Sequence, residues 1–511
     1  MRFIEFSTKV CSFIRRSSSQ EQFTIIFLTS FLHIAKCCKH INSICIIAPS
    51  IYRSSCLSLR KNSFTMIRRC VSSPKLSFHV SCLIIAVFLL LQIFSFDLSL
   101  YPKQQKAEAM KNETLYLVER LRASVTFLPL KDLRFSDKPQ EGHTWFMSSF
   151  HDKREKGEVQ HQEFPSESSN GRLLCLKGND GHDGSWNYYA LAWPEALPSN
   201  TDLLEGLTFV SYNHYNYDNL WHGLSAIFPF VAWSLRNKCE EPQRWVLYHW
   251  GEIRTKMGHW LTELISATYS KKPEILQLGN ERPVCFEKAV VMRHNEGGMS
   301  RERRTEVYDL LRCKARTYCN LTVPNPSSNP HIGMTLLMRT GPRSFRNVSA
   351  VIGIFRNECE RTGICEMIVA NSGNLGFCEQ VELMSKTDVL VSPHGAQLTN
   401  MFLMDKNSSV MEFFPKGWLN LAGVGQFVYQ WETNWSGMRH EGAWRDPDGE
   451  NCTYQENDRR CMSIYKNGRI GCNETYFREW ARGVLVRVKE RKLEERLKRK
   501  RVLRSIHTCQ C

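Results

Sequence analysis

The chain has 511 residues, 42% of them hydrophobic and 23% charged, with a formal net charge of +16. This balance excludes a disordered chain, and the length exceeds one ordinary core, so two domains are expected beyond any anchor. Nucleic acid is the first reading of such a charge, but much of the excess sits in an Arg/Lys-dotted N-terminal stretch and in Arg487 to Arg504, so no even basic face is implied.

Residues 1–79 read as a cytosolic tail, within which residues 1–65 have no clear period. Met66 opens a segment resembling a natural short tail, so translation starting there would make 1–65 an extension of the gene model. Val80 to Phe96 contains no charged residue, and its 17 residues are near the lower limit for a spanning helix. Arg68, Arg69 and Lys75 precede it and Asp97 follows, which predicts a single-pass type II anchor with the remainder lumenal, in the Golgi or endoplasmic reticulum membrane. A cleaved signal peptide competes, but the run is long for one and no small-x-small site follows. Seven Asn-x-Ser/Thr sequons, at Asn112, Asn320, Asn347, Asn407, Asn434, Asn451 and Asn473, all lie after the run.

Residues 97–171 read as a stem, and residues 172–321 as a first domain in which strand and helix signals alternate. Strands are expected at Leu207–Tyr212, Trp245–Tyr248 and Val284–Met292. Helices are expected at Asn219–Leu235, with Pro229 kinking or interrupting it, at Gly258–Thr268 and at Arg301–Cys313. The segment 322–332 is a linker, carrying three prolines between Thr322 and Pro330. The alternation restarts over 333–475, with strands at Gly333–Met338, Cys365–Ala370, Asp388–Val391 and Val410–Phe414, and helices at Ala350–Cys359 and Phe377–Ser385. This is an α/β pattern with a second Rossmann-like domain. Trp431 to Asn473 reads as loop-rich, and residues 476–511 as a solvated, basic helical tail.

Of the 20 cysteines, 13 follow position 82, with no CxxC pair and no zinc spacing. Scattered single cysteines fit a few disulfides in an oxidising compartment, and an odd number leaves at least one unpaired or intermolecular.

Three segments carry polar chemistry at predicted strand ends. In Leu390 to Leu398 (LVSPHGAQL) a buried strand gives way to a turn at His394, Gly395 and Ala396, then to a helix whose free N–H groups suit phosphate. An ordinary turn with a satisfied histidine is the competing reading. Arg339 to Asn347 (RTGPRSFRN) clusters three arginines, whose planar forks bind phosphate bidentately. A solvated basic loop competes, and Asn347 heads a sequon whose glycan must point away. In Asn216 to Gly223 (NYDNLWHG), Asp218 or His222 could serve as general base toward an acceptor, or Asp218 or Asn219 could simply cap the helix. Asp446-Pro447-Asp448 matches the DxD triplet of metal-dependent sugar-nucleotide enzymes, but its Arg-Asp-Pro-Asp-Gly context is turn chemistry. No metal ligand set is assigned.

Taken together, LVSPHGAQLTNMFLMDKNSSVMEFFP (Leu390 to Pro415), the Arg339 and Arg343 pair and NLWH (Asn219 to His222) resemble glycosyltransferase family 61 over roughly residues 200–420. The resemblance implies a GT-B-like fold of two facing Rossmann-like domains. It implies inverting transfer of xylose, arabinose or N-acetylglucosamine from a UDP-sugar to a glycan, polysaccharide or glycoprotein acceptor. No cofactor is obligatory, and a divalent metal is allowed but not required. Arg339 and Arg343 would hold the diphosphate, with His394, Gly395 and Ala396 lining the same pocket and Glu412 placed to bind ribose or sugar. The chain departs from the family's Asn-x-x-His-x-x-x-Asp pattern, because Ala226 stands four residues after His222. Asp218 becomes the substitute base. The missing carboxylate also admits a membrane-tethered carbohydrate-binding protein on an inactive transferase scaffold. The sequons argue against a nucleic-acid partner.

Overall fold

The computed structural model describes residues 74–133, 152–180, 186–213, 215–279, 282–293, 298–321, 331–418, 423–455 and 458–499. The chain divides into two compact units, Met1–Gln105 and Lys106–Cys511. Helix α1 (Pro74–Ala123) includes the apolar run, where Phe78, Leu83, Ile84 and Phe88 are exposed. Among the described residues no helix is long and apolar enough to cross a membrane, so the expected span is not shown. The side chains of residues 94–105 lie outside those described.

The first sheet comprises β1 (Leu128–Pro129), β2 (Gln162–Phe164), β3 (Leu173–Lys177), β4 (Tyr188–Ala192), β5 (Asp202–Tyr212), β6 (Arg244–His249), β7 (Glu252–Arg254), β8 (Glu274–Ile275) and β9 (Val284–Arg293). Its order is β1-β4-β3-β9-β5-β6-β7, with β2 paired to β9 and β8 to β6. The centre, β9-β5-β6, is parallel as expected, because Leu207 to Tyr212 is buried on both faces and reads as a continuous apolar run. The β3-β4 flank is antiparallel. Strand β2 falls within the stretch read as stem, yet it pairs with β9.

Around this sheet lie α2 (Leu220–Arg236), α3 (His259–Thr268) and α4 (Arg301–Tyr318). Asn219 caps α2, its side chain accepting from the amides of Trp221 and His222. The expected interruption at Pro229 does not occur. Every residue from Gly223 to Ser234 is buried, and packing on all sides outweighs the roughly 3 kcal/mol that an interior proline costs.

The second sheet follows a linker segment, 322–330, that lies outside the described residues. It comprises β10 (Ile332–Met338), β11 (Cys365–Asn371), β12 (Val389–Pro393), β13 (Ser409–Phe414) and β14 (Arg439–Arg445), in the order β11-β10-β12-β13-β14 and parallel throughout. Its helices are α5 (Val348–Thr362), α6 (Phe377–Ser385), α7 (Val428–Ser436), α8 (Arg459–Asn467) and α9 (Glu474–Arg499). The stretch expected to be loop-rich therefore contains β14, α8 and most of α7. Strand β14 (RHEGAWR) has no apolar period and is specified by its pairing with β13. Nor is α9 a solvated tail. It buries Phe477, Ala481, Val484, Leu485 and Val488 against β10, β12 and β13, and Arg482 pairs with the buried Glu358 of α5.

One apolar cluster joins the two sheets, running from Phe209, Phe228 and Trp245 to Leu337, Leu390 and Phe402. Helix α4 fixes this junction. Arg312, buried, donates to the carbonyls of Phe402 at 2.7 Å and Ser436 at 2.8 Å. Cys319, just beyond α4, is bonded to Cys378 of α6. Disulfides also join Cys175 to Cys285, Cys359 to Cys365 and Cys452 to Cys461. Cys472 is free and exposed.

Candidate functional site

In the second sheet the chain leaves β10 toward β11 on one side, while β12 and β13 continue on the other. A crevice therefore opens at the carboxyl ends of β10 and β12, the place where ligands bind in open α/β sheets. Two of the three polar segments converge there. Arg339 follows β10 directly, and His394, Gly395 and Ala396 follow β12. A cavity of about 300 Å³ lies at this edge, lined by Arg339, Thr340, Gln397 and Gln380, with Leu220 of α2 and Trp260 of α3 closing it from the first sheet's side.

Arg339 extends one guanidinium nitrogen to 3.4 Å from the His394 carbonyl and 3.5 Å from Gln397 Oε1. It passes so close to Gly395 that a Cβ there would lie 2.2 Å from Arg339 Nη1. Gly395 is thus required by the arginine beside it, and its backbone is ordinary extended chain. The segment after it, Ala396–Leu403, is a 3-10 helix rather than the α-helix expected to present N–H groups.

Arg343 has φ +61°, and its amide donates to the Gly468 carbonyl at 2.9 Å. Its guanidinium lies 5.3 Å from the centre of the Trp418 ring. Among the described residues neither Arg339 nor Arg343 pairs with a carboxylate, and the Nε atoms of both are buried without a partner. Burial therefore pushes both guanidinium pKa values down, that of Arg343 to about 10 with Arg339 adding to the effect. Both remain charged at neutral pH, so the site holds two partly desolvated cations with no anion paired to them among the described residues. The third arginine serves elsewhere. Arg346 pairs with Asp446 at 2.8 Å. Asp446 also accepts from the amides of Gly471 at 2.5 Å and Asp448 at 3.0 Å, so the DxD triplet is an Asx turn. Among the described residues no cluster of three or more His, Cys, Asp or Glu could hold a metal.

Glu412 on β13 is 1% exposed. One oxygen meets His394 Nδ1 at 2.6 Å and the other meets His440 Nε2 of β14 at 2.9 Å. Burial raises its pKa, but these two hydrogen bonds outweigh burial and hold the carboxyl below its usual range. With both oxygens taken, Glu412 orients His394 rather than reaching toward a ribose. The His394 ring is packed by Phe414 at 4.6 Å and Tyr429 at 5.2 Å.

The third segment meets the site from the opposite side. Leu220 lines the cavity, and Trp221 packs edge-on against Tyr429 at 5.7 Å. Asp218 is exposed, and His222 stacks on Tyr215 at 3.9 Å. Tyr429, Trp418 and His440 escaped the sequence reading. They belong to the stretch after β13, where no apolar period in the sequence marks an inward-facing residue, although Tyr429 lies in α7 and His440 in β14.

Residues 257–411 match the model of the family described as Glycosyltransferase 61. No curated protein matches the chain. Among solved structures it is similar to the iron-containing dodecameric glycosyltransferase TibC of enterotoxigenic E. coli, at 10% identity and TM-score 0.28, covering 66% of this chain and 95% of that one. It is also similar to a diflavin flavoprotein A3 of Nostoc sp., at 13% identity and TM-score 0.22, covering 34% of this chain and 99% of that one.

Proposed function

We propose, from the premise that residues 257–411 make this chain a family 61 glycosyltransferase, that it transfers a sugar from a UDP-sugar to a glycan or glycoprotein acceptor with inversion. The observation that carries this reading is a pair of half-buried guanidiniums that meet no carboxylate among the described residues, Arg339 lining the cavity and Arg343 following it in the same loop over the Trp418 ring. A diphosphate supplies the missing charge. As the bond from the anomeric carbon to the diphosphate breaks, negative charge builds on the leaving oxygen, and two fixed cations stabilise it without metal. His394, its Nδ1 engaged by Glu412, keeps Nε2 for a ligand. Asp218 or His222, across the cleft, takes the proton of the attacking acceptor hydroxyl.

We further place the chain in the Golgi or endoplasmic reticulum membrane, anchored through Val80–Phe96 in a GT-B-like arrangement with its catalytic part lumenal. Supporting this are the uncharged run, the basic residues before it, and the exposure of all seven sequon asparagines. Asn347 caps α5 through Oδ1, which leaves Nδ2 for a glycan.

The test is calorimetric titration of UDP and a panel of UDP-sugars into the full chain and into an Arg339→Ala/Arg343→Ala variant. Tight binding by the wild type, lost in the variant, is expected. Equal binding by both chains would remove the donor site from this edge.

A further inference from the structure

Outside the cavity, two exposed aromatic side chains stand at the carboxyl edge of the first sheet, beyond β5 and β6. We infer that Tyr215 and Trp250 form an acceptor platform, on which pyranose rings of an oligosaccharide stack beside the donor cavity. The inference rests on the transferase reading and names the substrate class of its second half.

Strands β6 and β7 pair with His249 opposite Glu252, so Trp250 and Gly251 are a two-residue hairpin loop. Their φ values are +51° and +84°, both left-handed, as a type I′ turn requires. Its first central position favours Asn, Asp or Gly, and a bulky side chain there is strained. Burial does not compensate, because Trp250 is 49% exposed. Its ring meets Tyr212 edge-on with centroids 6.3 Å apart. A strained aromatic residue kept at an exposed tip points to a contact with a ligand.

Tyr215 is 38% exposed and stacks on His222. His222 lies in the first turn of α2, two residues after Leu220, which lines the donor cavity. Asn213 ties these parts together and is itself fully buried. Its Nδ2 donates to the carbonyls of Asn216 and His222, each at 3.3 Å, and its Oδ1 accepts from the Tyr215 amide at 3.1 Å. Its carbonyl meets His249 Nδ1 at 2.8 Å. One residue thus anchors the Tyr215 loop, the start of α2 and the end of β6 to a common frame.

Separate flat rings with polar edges suit the C–H faces and hydroxyls of a sugar chain. An apolar peptide or a lipid needs a contiguous patch, and here the exposed Asn216 and Asp218 lie in the segment between Tyr215 and α2.

The test uses the full chain in detergent, titrated by calorimetry with xylohexaose, chitohexaose and trimannosyl-chitobiose, and separately with UDP. Trp250→Ala should weaken the oligosaccharide bound by the wild type tenfold or more and leave UDP affinity within twofold. Trp250→Asn suits the turn, so it should lose the sugar equally while Tm holds or rises. Oligosaccharide affinity within twofold of wild type in both variants overturns the platform, as does a wild-type chain that binds none of the three probes. A chain that binds an oligosaccharide through Trp250 but neither UDP nor any UDP-sugar keeps the platform and overturns the transferase reading.

Discussion

Replacing Gly395 by alanine perturbs the donor site through one atom. The new Cβ lies 2.2 Å from Arg339 Nη1 and 2.5 Å from Gln397 Oε1. An ordinary contact needs 3.4 Å, so the guanidinium must retreat by about 1.2 Å. The backbone at Gly395 is extended and accepts alanine, and the yielding atoms are ends of flexible side chains. The stability cost is therefore within about 0.5 kcal/mol. Binding is affected far more. A hydrogen bond to a charged group contributes about 1.5–3 kcal/mol, and losing one of them from Arg339 weakens UDP by about tenfold to about 150-fold. Calorimetric titration beside a thermal melt separates the two effects. A double-mutant cycle adds a sharper check, since Arg339→Ala in the Gly395→Ala background should cost almost nothing more. Two fully additive losses, or UDP affinity within twofold of wild type in Gly395→Ala, would refute the claim that Gly395 exists to admit Arg339.

Glu412→Ala removes one carboxylate from between two histidines and should destabilise the fold by about 3–5 kcal/mol, read by chemical denaturation. Because the folded Glu412 carboxyl titrates below its unfolded value of about 4.5, its contribution is full above that pH and disappears as the pH falls through the lower folded value; the gap between wild type and variant should close on acidification. Asp446→Ala should lower Tm, and the wild type should bind UDP equally in manganese and in EDTA, whereas a metal-holding DxD would make the wild type lose UDP affinity in EDTA. Cys378→Ser opens a loop with 59 residues of sequence separation, which chain entropy values at about 4 kcal/mol; denaturation under non-reducing conditions should show that loss, and reductant, which opens the other disulfides as well, should cost the wild type at least as much.

The second sheet was legible because its parallel strands are apolar runs buried on both faces, as in Val389 to Pro393 and Ser409 to Phe414. The turn residues between them mark where each strand stops, so Arg339 and His394 could be placed at strand ends before any coordinates. What could not be read was the pairing among polar groups. Nothing in the spacing of Glu412 and His440 tells that they meet across neighbouring strands, or that Arg346 is neutralised by an aspartate 100 positions away. Strand β14 failed for a related reason, since its residues have no preference that outweighs context. Pro229 misled in the opposite direction, where a strong local rule yields to burial.

The last helix has a consequence for how the protein is made. Helix α9 supplies Phe477, Ala481, Val484 and Leu485 to the cluster that also contains Leu336, Val391 and Phe413. Translation proceeds from the other end, so the sheet bearing Arg339 and His394 emerges from the ribosome with one apolar face covered only in part, by α5. It stays so until residues 474–499 are synthesised. The first sheet closes earlier, once β9 has entered between β3 and β5. Maturation is then sequential, with the first sheet formed before the arginine-bearing half, which is held open to chaperones until α9 has been synthesised. A stop codon just before Glu474 would leave that window permanently open.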